Sequence, residues 1–295
     1  MIELETRELE YFVAVAEELH FGRAAMRLSI AQPALSKTIQ RVESRLGVQL
    51  LIRSSRHVSL TPAGEALLHH GRHALNGVSA AAQAARQAGD AQAHLRLVIK
   101  PGGDASLLSG ILAAYAEWPG AHQVDILFGG ATDRADYLRD GRADVALLYV
   151  PFDDLTGLAH ETLYTEGRVA ILPRDHRLAS RRELRLADLE HETMPRWKGV
   201  TDSRGGLESG DGPEIVDVPQ MIQMVTLGRT IAILPRSLIG PVPSGIVCIP
   251  VTDAPPSRLA IAWSQLNRRS LVASFVEAAV SASMPQPNAA ERLMD

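Results

Sequence analysis

Leu9, Phe12, Val13 and Ala16 recur at i, i+3, i+4 and i+7, the spacing that gathers one apolar stripe on a helix. A second, shorter helix is expected from Arg23 to Leu28, turning Ala24, Ala25 and Leu28 inward, where the small alanines let another helix cross closely. Ser29-Ile30-Ala31-Gln32 reads as a turn, and Pro33 suits the first position of a third helix because its missing N–H has no partner to lose there. In that helix Leu35, Ile39, Val42 and Leu46 make the buried stripe and Gly47 ends it. Ser36, Lys37, Gln40, Arg41 and Ser44 line its other face. Leu50 to Arg53 and His57 to Leu60 then read as two strands around Ser54-Ser55-Arg56.

The period changes twice more. Thr61 and Pro62 open a long alanine-rich helix that runs to about Gly89. Within it Leu67, Gly71, Leu75, Val78, Ala82 and Ala85 are spaced by four or three, the seam of a two-helix coil. Roughly 27 residues at about 1.5 Å each make a rod of about 40 Å, long enough to serve as a dimer joint. After His94, strand-like runs (Leu95 to Ile99, Val124 to Phe128, Val145 to Val150) alternate with amphipathic helices (Leu107 to Tyr115, Ala131 to Arg139). Such alternation predicts a parallel sheet covered by helices. Further runs follow at Val169 to Leu172, Ile231 to Leu234, Ile246 to Pro250 and Leu259 to Trp263, and the polar stretch from Thr201 to Pro213 is expected to be an exposed loop.

Charge sharpens this picture. Between Phe21 and Pro62 stand Arg23, Arg27, Lys37, Arg41, Arg45, Arg53 and Arg56 against the single acid Glu43, a net of +6, which leaves −10 for the rest of a 295-residue chain of net charge −4. A basic block on an acidic body neutralises phosphates while the remainder repels them. A helix with an apolar back and a polar front, followed by a basic hairpin, is what a winged helix-turn-helix needs to read double-stranded DNA. Gln32, Pro33, Ser36 and Lys37 lie at the end that enters a major groove. There Gln pairs with adenine, Lys donates to guanine and Pro touches a thymine methyl. Arg41, one turn on, is expected at phosphate, Arg23 belongs to the same basic block, and Arg53 and Arg56 are placed for backbone or minor-groove contact.

Other chemistry is thin. The single Cys248 has no partner for an intrachain disulfide, which suits a reducing cytosol. His69, His70 and His73 share a helix with Glu65, but solvated histidines are the expectation and no metal or other cofactor is assigned. No Gly-x-Ser-x-Gly elbow, phosphate loop or His-Glu-x-x-His occurs, so catalysis is not expected. An acidic start without a signal-like apolar segment, and no apolar run of membrane length, point to a cytoplasmic protein rather than an exported carrier. A sequence-tolerant architectural DNA protein stays open as an alternative.

Phe21-Gly22-Arg23-Ala24-Ala25-Met26-Arg27-Leu28, Ala31-Gln32-Pro33-Ala34-Leu35-Ser36, Ile39, Glu43, Leu46-Gly47, Leu50, Arg53 and Leu60-Thr61-Pro62-Ala63-Gly64 together resemble the head of the LysR-type transcriptional regulators. Leu51 stands where that family more often has phenylalanine. The resemblance implies DNA contacts for Gln32, Pro33, Ser36, Lys37 and Arg53. It also implies a homodimer, with a homotetramer (a dimer of dimers) allowed. Leu138 to Ala146, Leu172 to Ala179 and Gly228 to Pro235 resemble the family's periplasmic-binding-protein-like α/β effector domain, although Thr230 replaces a frequent second glycine and puts the turn there in question.

The expected fold is thus an α+β multidomain chain. Residues 1–61 form the winged helix-turn-helix, 62–90 the linker helix and 91–295 the effector domain. Subdomain I covers about 93–160 and 264–285, and subdomain II about 161–263, with crossings near His160 and Trp263. Ligands of open α/β sheets sit beyond the carboxyl ends of strands. That rule selects Lys100, Gly102 and Ser106 after the first strand, opposite Gly130, Tyr149 and Arg196-Trp197-Lys198. Arg196 and Lys198 are expected to clamp the carboxylate of a small anionic metabolite against Trp197.

Overall fold

The computed structural model describes residues 4–53, 58–88, 94–130, 133–198 and 210–283, which divide into two compact units, residues 1–86 and 87–295. In the first unit α1 (Thr6–Glu18), α2 (Phe21–Arg27) and α3 (Gln32–Leu46) surround Phe12, Ala24, Leu35, Ile39 and Val42, all fully buried. His20 caps α2 through Nδ1, which accepts from Gly22 N at 3.0 Å and Arg23 N at 3.2 Å, so two otherwise orphaned donors are satisfied. Pro33 sits in the first turn of α3, and Gly47 closes it with φ +69°, a left-handed turn that suits glycine. β1 (Leu51–Arg53) pairs antiparallel with β2 (Val58–Leu60). The buried Leu51 completes the core that phenylalanine would fill elsewhere.

α4 (Pro62–Ala88) begins where Thr61 Oγ1 accepts from Gly64 N at 3.0 Å and donates to Gln49 O at 2.7 Å. A Cβ at Gly64 would lie 2.1 Å from Leu50 O, so glycine is obligatory where the helix leaves the hairpin. The seam expected along this helix divides. Leu67 and Leu75 pack against the head's own core, and a Cβ at Gly71 would come within 2.8 Å of Leu9 Cδ1. Only the later positions, Val78, Ala82 and Ala85, stay exposed.

The second unit holds two subdomains. In the first, β3 (Leu95–Ile99), β4 (Val124–Phe128), β5 (Val145–Val150), β6 (Leu158–Glu166) and β12 (Ser257–Ser264) form one sheet in the order β4-β3-β5-β12-β6. α5 (Leu108–Ala116) and α8 (Ser270–Ser283) cover one face, where Tyr115 meets Phe275 edge-on at 4.9 Å, and α6 (Arg134–Arg139) covers the other. In the second subdomain β7 (Arg168–Pro173) runs between β10 (Ala232–Pro235) and β11 (Ile246–Val251). α7 (Val218–Thr226) lies on this sheet beside the short pair β8 (Arg196–Trp197) and β9 (Glu214–Ile215).

In the two larger sheets the parallel pairing of the sequence reading is confined to β4, β3 and β5, and the short pair β8 and β9 is also parallel. β12 runs antiparallel to β5 and β6, and both neighbours of β7 are antiparallel to it. The cause lies in the crossings, because a strand returning from the other subdomain comes in from the opposite end of the sheet. Those crossings fall at Gly167 and at residues 252–256, rather than near His160 and Trp263, since β6 and β12 run their whole length in the first sheet.

The resembling segments of the body do structural work. Buried Asp144 accepts from Arg96 N, Nε and Nη2 at 2.8–3.1 Å and also binds Arg269, tying β3 to the start of α8. Gly228, at φ +65°, makes the turn before β10, and Thr230 supports it by donating to Thr193 O at 2.8 Å, so that turn forms without a second glycine. Replacing Gly64 with alanine is expected to cost about 1–3 kcal/mol through overpacking against the Leu50 carbonyl. Urea denaturation of the whole chain reads this as an earlier transition, and an unchanged midpoint would remove the steric argument.

Candidate functional site

On the head, Gln32, Pro33, Lys37, Gln40 and Arg41 are exposed along one side of α3, with Ser36 half-buried and Leu35, Thr38, Ile39 and Val42 behind them. The amino-terminal third of the helix is therefore an uncovered polar ridge backed by core. Arg41 is steadied by Thr38 Oγ1 at 3.1 Å. The basic block is not uniformly free. Acids on α1 engage it: Glu18 binds Arg23 at 3.1 Å, Glu17 binds Arg27 at 2.7 Å, and Glu8 binds Arg45. Lys37 and Arg41 have no ion pair among the described residues. Arg53, expected at the DNA backbone, reaches Glu43 at 2.7 Å and stacks over Phe21 at 4.9 Å, while Glu43 accepts from Leu50 N and Leu51 N. It braces the hairpin against α3. Arg56 lies outside the described residues.

In the body, β3 ends beside Lys100, which stands where Phe152 of the first subdomain meets Trp197 of the second. Its chain doubles back at once: Gly103 N donates to Lys100 O at 2.8 Å, Gly102 takes φ +66°, and a Cβ at Gly103 would strike Lys100 Cβ at 2.9 Å. Ala105 and Ser106 also hold left-handed angles, φ +50° and +62°, which non-glycine residues adopt at a cost. Lys100 is only 9 % exposed. Its ammonium lies 5.2 Å from the centre of the Trp197 ring and 6.0 Å from that of Phe152, and those two rings meet edge-on at 5.9 Å. Among the described residues it has no hydrogen bond and no ion pair. Burial, helped by the nearby Arg134 guanidinium, pushes its pKa down to about 8, with Asp153 and Asp217 pulling weakly the other way.

Behind Lys100, the fully buried Arg134 donates from Nη2 to both oxygens of Asp153 at 2.8 Å and from Nη1 to Gly130 O. Asp153 also accepts from Tyr149 N at 2.7 Å. The Tyr149 hydroxyl bonds Ser237 Oγ at 2.9 Å, and Ser237 N donates to Glu166 at 2.9 Å, so the two subdomains are stitched across the cleft floor. Burial drives the Tyr149 pKa up to about 12, against the effect of its hydrogen bond with Ser237, so the phenol stays protonated.

Of the residues read from the sequence, Lys100 and Trp197 meet, while Tyr149 is bonded to Asp153 through its backbone and to Ser237 through its hydroxyl. The expected clamp does not form. Side chains alternate along a strand, so Arg196 turns away from Trp197 and donates from Nε to Gly212 O at 3.0 Å. Lys198 is exposed, its backbone tied to Ile215 O. Gly102, Ser106 and Gly130 are exposed beside the cleft loops. Phe152, Arg134, Asp153, Glu166 and Ser237 were missed because each follows a strand or starts a helix in a segment with no motif of its own. Asp217, which caps α7 by accepting from Gln220 N at 2.7 Å, did carry a signal, an acid two positions before a proline.

Comparison with known proteins places both units. Residues 6–65 match the bacterial regulatory helix-turn-helix protein, lysR family, and residues 88–283 match the LysR substrate binding domain. The chain is 31% identical over 273 residues to the HTH-type transcriptional regulator IlvR of Caulobacter vibrioides, covering 88% of this chain and 92% of that one. It is 29% identical over 286 residues to the Hca operon transcriptional activator HcaR of Escherichia coli, covering 92% and 96%. Full-length BenM superposes with a TM-score of 0.53 at 25% identity over 94% of this chain and 96% of that chain. The fold is also that of full-length CbnR in complex with its target DNA, with a TM-score of 0.51 at 22% identity over 95% and 100% of the two chains. With both family models matched, an amino-terminal helix-turn-helix and a two-part α/β body, this chain belongs to the LysR family of transcriptional regulators.

Proposed function

We propose that this regulator binds double-stranded promoter DNA as a homodimer, with a tetramer formed as a dimer of dimers, and that a small anionic metabolite in the body's cleft changes its action on the promoter. The observation that carries the anionic effector is Lys100, a residue nine-tenths buried whose ammonium lacks any hydrogen-bonded or ionic partner among the described residues. A buried charge of this kind is costly until an opposite charge arrives. The anion is therefore held by Lys100 against Trp197, with Gly102, Ser106, Gly130 and Tyr149 around it, in place of the Arg196 and Lys198 pair. Gln32, Pro33, Ser36 and Lys37 read bases, Arg41 holds phosphate, and Arg23 and Arg53 keep the head in shape for them. Dimerisation through residues 62–90 is supported by the exposed Val78, Ala82 and Ala85. No helix among the described residues is long and apolar enough to cross a membrane, which agrees with a cytoplasmic regulator. The relatives are named as regulators, which favours binding over catalysis.

Gln32→Ala or Lys37→Ala is expected to weaken specific DNA binding by about 1–3 kcal/mol and relax base preference, whereas Arg41→Ala weakens all sequences alike and lowers the salt slope by about one. Fluorescence anisotropy on specific and scrambled duplexes over a salt series checks this, and identical behaviour of the three variants contradicts the division of roles. A panel of small carboxylates and their uncharged amides, titrated by calorimetry into the whole protein, tests the cleft. Carboxylate binding that survives in Lys100→Met, or amides that bind as well, dismisses the anion site. Because the anion needs the protonated lysine, affinity is expected to be flat below pH 8 and to fall about tenfold per pH unit above it.

A further inference from the structure

The basic residue in the cleft is a lysine in a chain that otherwise relies on arginine. Lysine stands only at positions 37, 100 and 198 among 30 basic residues. Arginine holds carboxylates better, through a planar fork of donors, so anion binding alone does not account for lysine here. A lysine amine, unlike a guanidinium, is a nucleophile once its proton is gone. The surroundings of Lys100 favour that form. Two aromatic rings flank Nζ, no carboxylate or carbonyl among the described residues bonds it, and Arg134, already committed to Asp153 and Gly130, adds a like charge, with Asp153 and Asp217 acting less strongly the other way. Desolvation and a neighbouring cation are the two devices that activate a lysine toward carbonyls. The pKa of about 8 agrees, since near neutral pH it leaves a far larger amine fraction than an ordinary lysine has.

We propose that Lys100 captures its effector covalently, the effector being a small carboxylate that also bears an aldehyde or ketone carbonyl, held as an imine on Nζ. The inference rests on the cleft being an anion site. The Nζ lone pair adds to the carbonyl carbon, and the carbonyl oxygen takes up a proton. The nitrogen of the resulting carbinolamine returns one hydrogen to solvent and passes the other to the hydroxyl, which leaves as water as the C=N bond forms. One further proton from solvent makes the iminium. No oxidant or reductant is consumed, and hydrolysis reverses each step, so the effector leaves when its concentration falls. The iminium keeps a positive charge on the Lys100 nitrogen next to the effector's own carboxylate, so the two form an ion pair.

The test uses the intact protein, glyoxylate as probe and cyanoborohydride to trap the imine, with mass spectrometry of the three lysine peptides. Lys37 and Lys198 are exposed and serve as internal standards. In native protein near pH 7.5, Lys100 is expected to be carboxymethylated at least about tenfold faster than either, and in urea the three rates should converge. Labelling of Lys100 no faster than of Lys37 and Lys198 overturns the proposal. Lys100→Arg separates it from the anion reading. If the arginine variant still binds carboxylates while wild-type Lys100 resists trapping, imine capture fails and the anion site stands. If wild-type Lys100 resists trapping and neither protein binds carboxylates, both readings fail.

Discussion

The body is organised around the cost of taking one ammonium out of water. Lys100 leaves β3 at the mouth of a cleft and finds two ring faces where solvent or a carboxylate would ordinarily be. Ring faces return only a fraction of what hydration supplied, about 0.5–2 kcal/mol. The drop in its pKa to about 8 corresponds to about 3 kcal/mol of preference for the uncharged amine relative to free lysine. Under the proposed function, an anion beside Lys100 offsets that cost.

The scaffold holds that group by means that do not depend on a ligand. Asp144 locks β3 through Arg96 and Arg269, and Asp153 locks Arg134 and the end of β5, so Lys100 stands on a rigid sheet edge. Across the cleft, Trp197 stands on β8, and the bonds from Tyr149 to Ser237 and from Ser237 to Glu166 join the halves near the first crossing. Two antiparallel strands carry the chain back and forth, so any change of angle between the halves passes through β6, β12 and the short links that follow them.

The head was largely legible in the sequence because short-range periodicity decides it. The stripes of α1 and α3, the helix stop at Gly47 and the cap at Thr61 are each set within a few residues. The body was less so. Strand runs were visible, but strand direction depends on where the chain returns, which no local pattern records. The ion pairs of Arg23, Arg27 and Arg45 depend on acids of α1, close in space but outside the basic stretch, so charge counting overstated the free cations. Arg196 and Lys198 failed as a clamp because strand alternation turns neighbours to opposite sides. Lys100 stands at the end of β3 as expected, because that position is a property of topology, not of side-chain direction.

With lysine at only three positions, selective carbon-13 labelling at lysine Cε yields few enough signals to assign by single substitutions. An NMR pH titration of the whole protein then reads the protonation of Lys100 itself. The account predicts a midpoint near 8 in the free protein, moving upward when a bound carboxylate supplies the missing counter-charge. A midpoint at the ordinary lysine value of about 10.5, unmoved by any carboxylate, would contradict it.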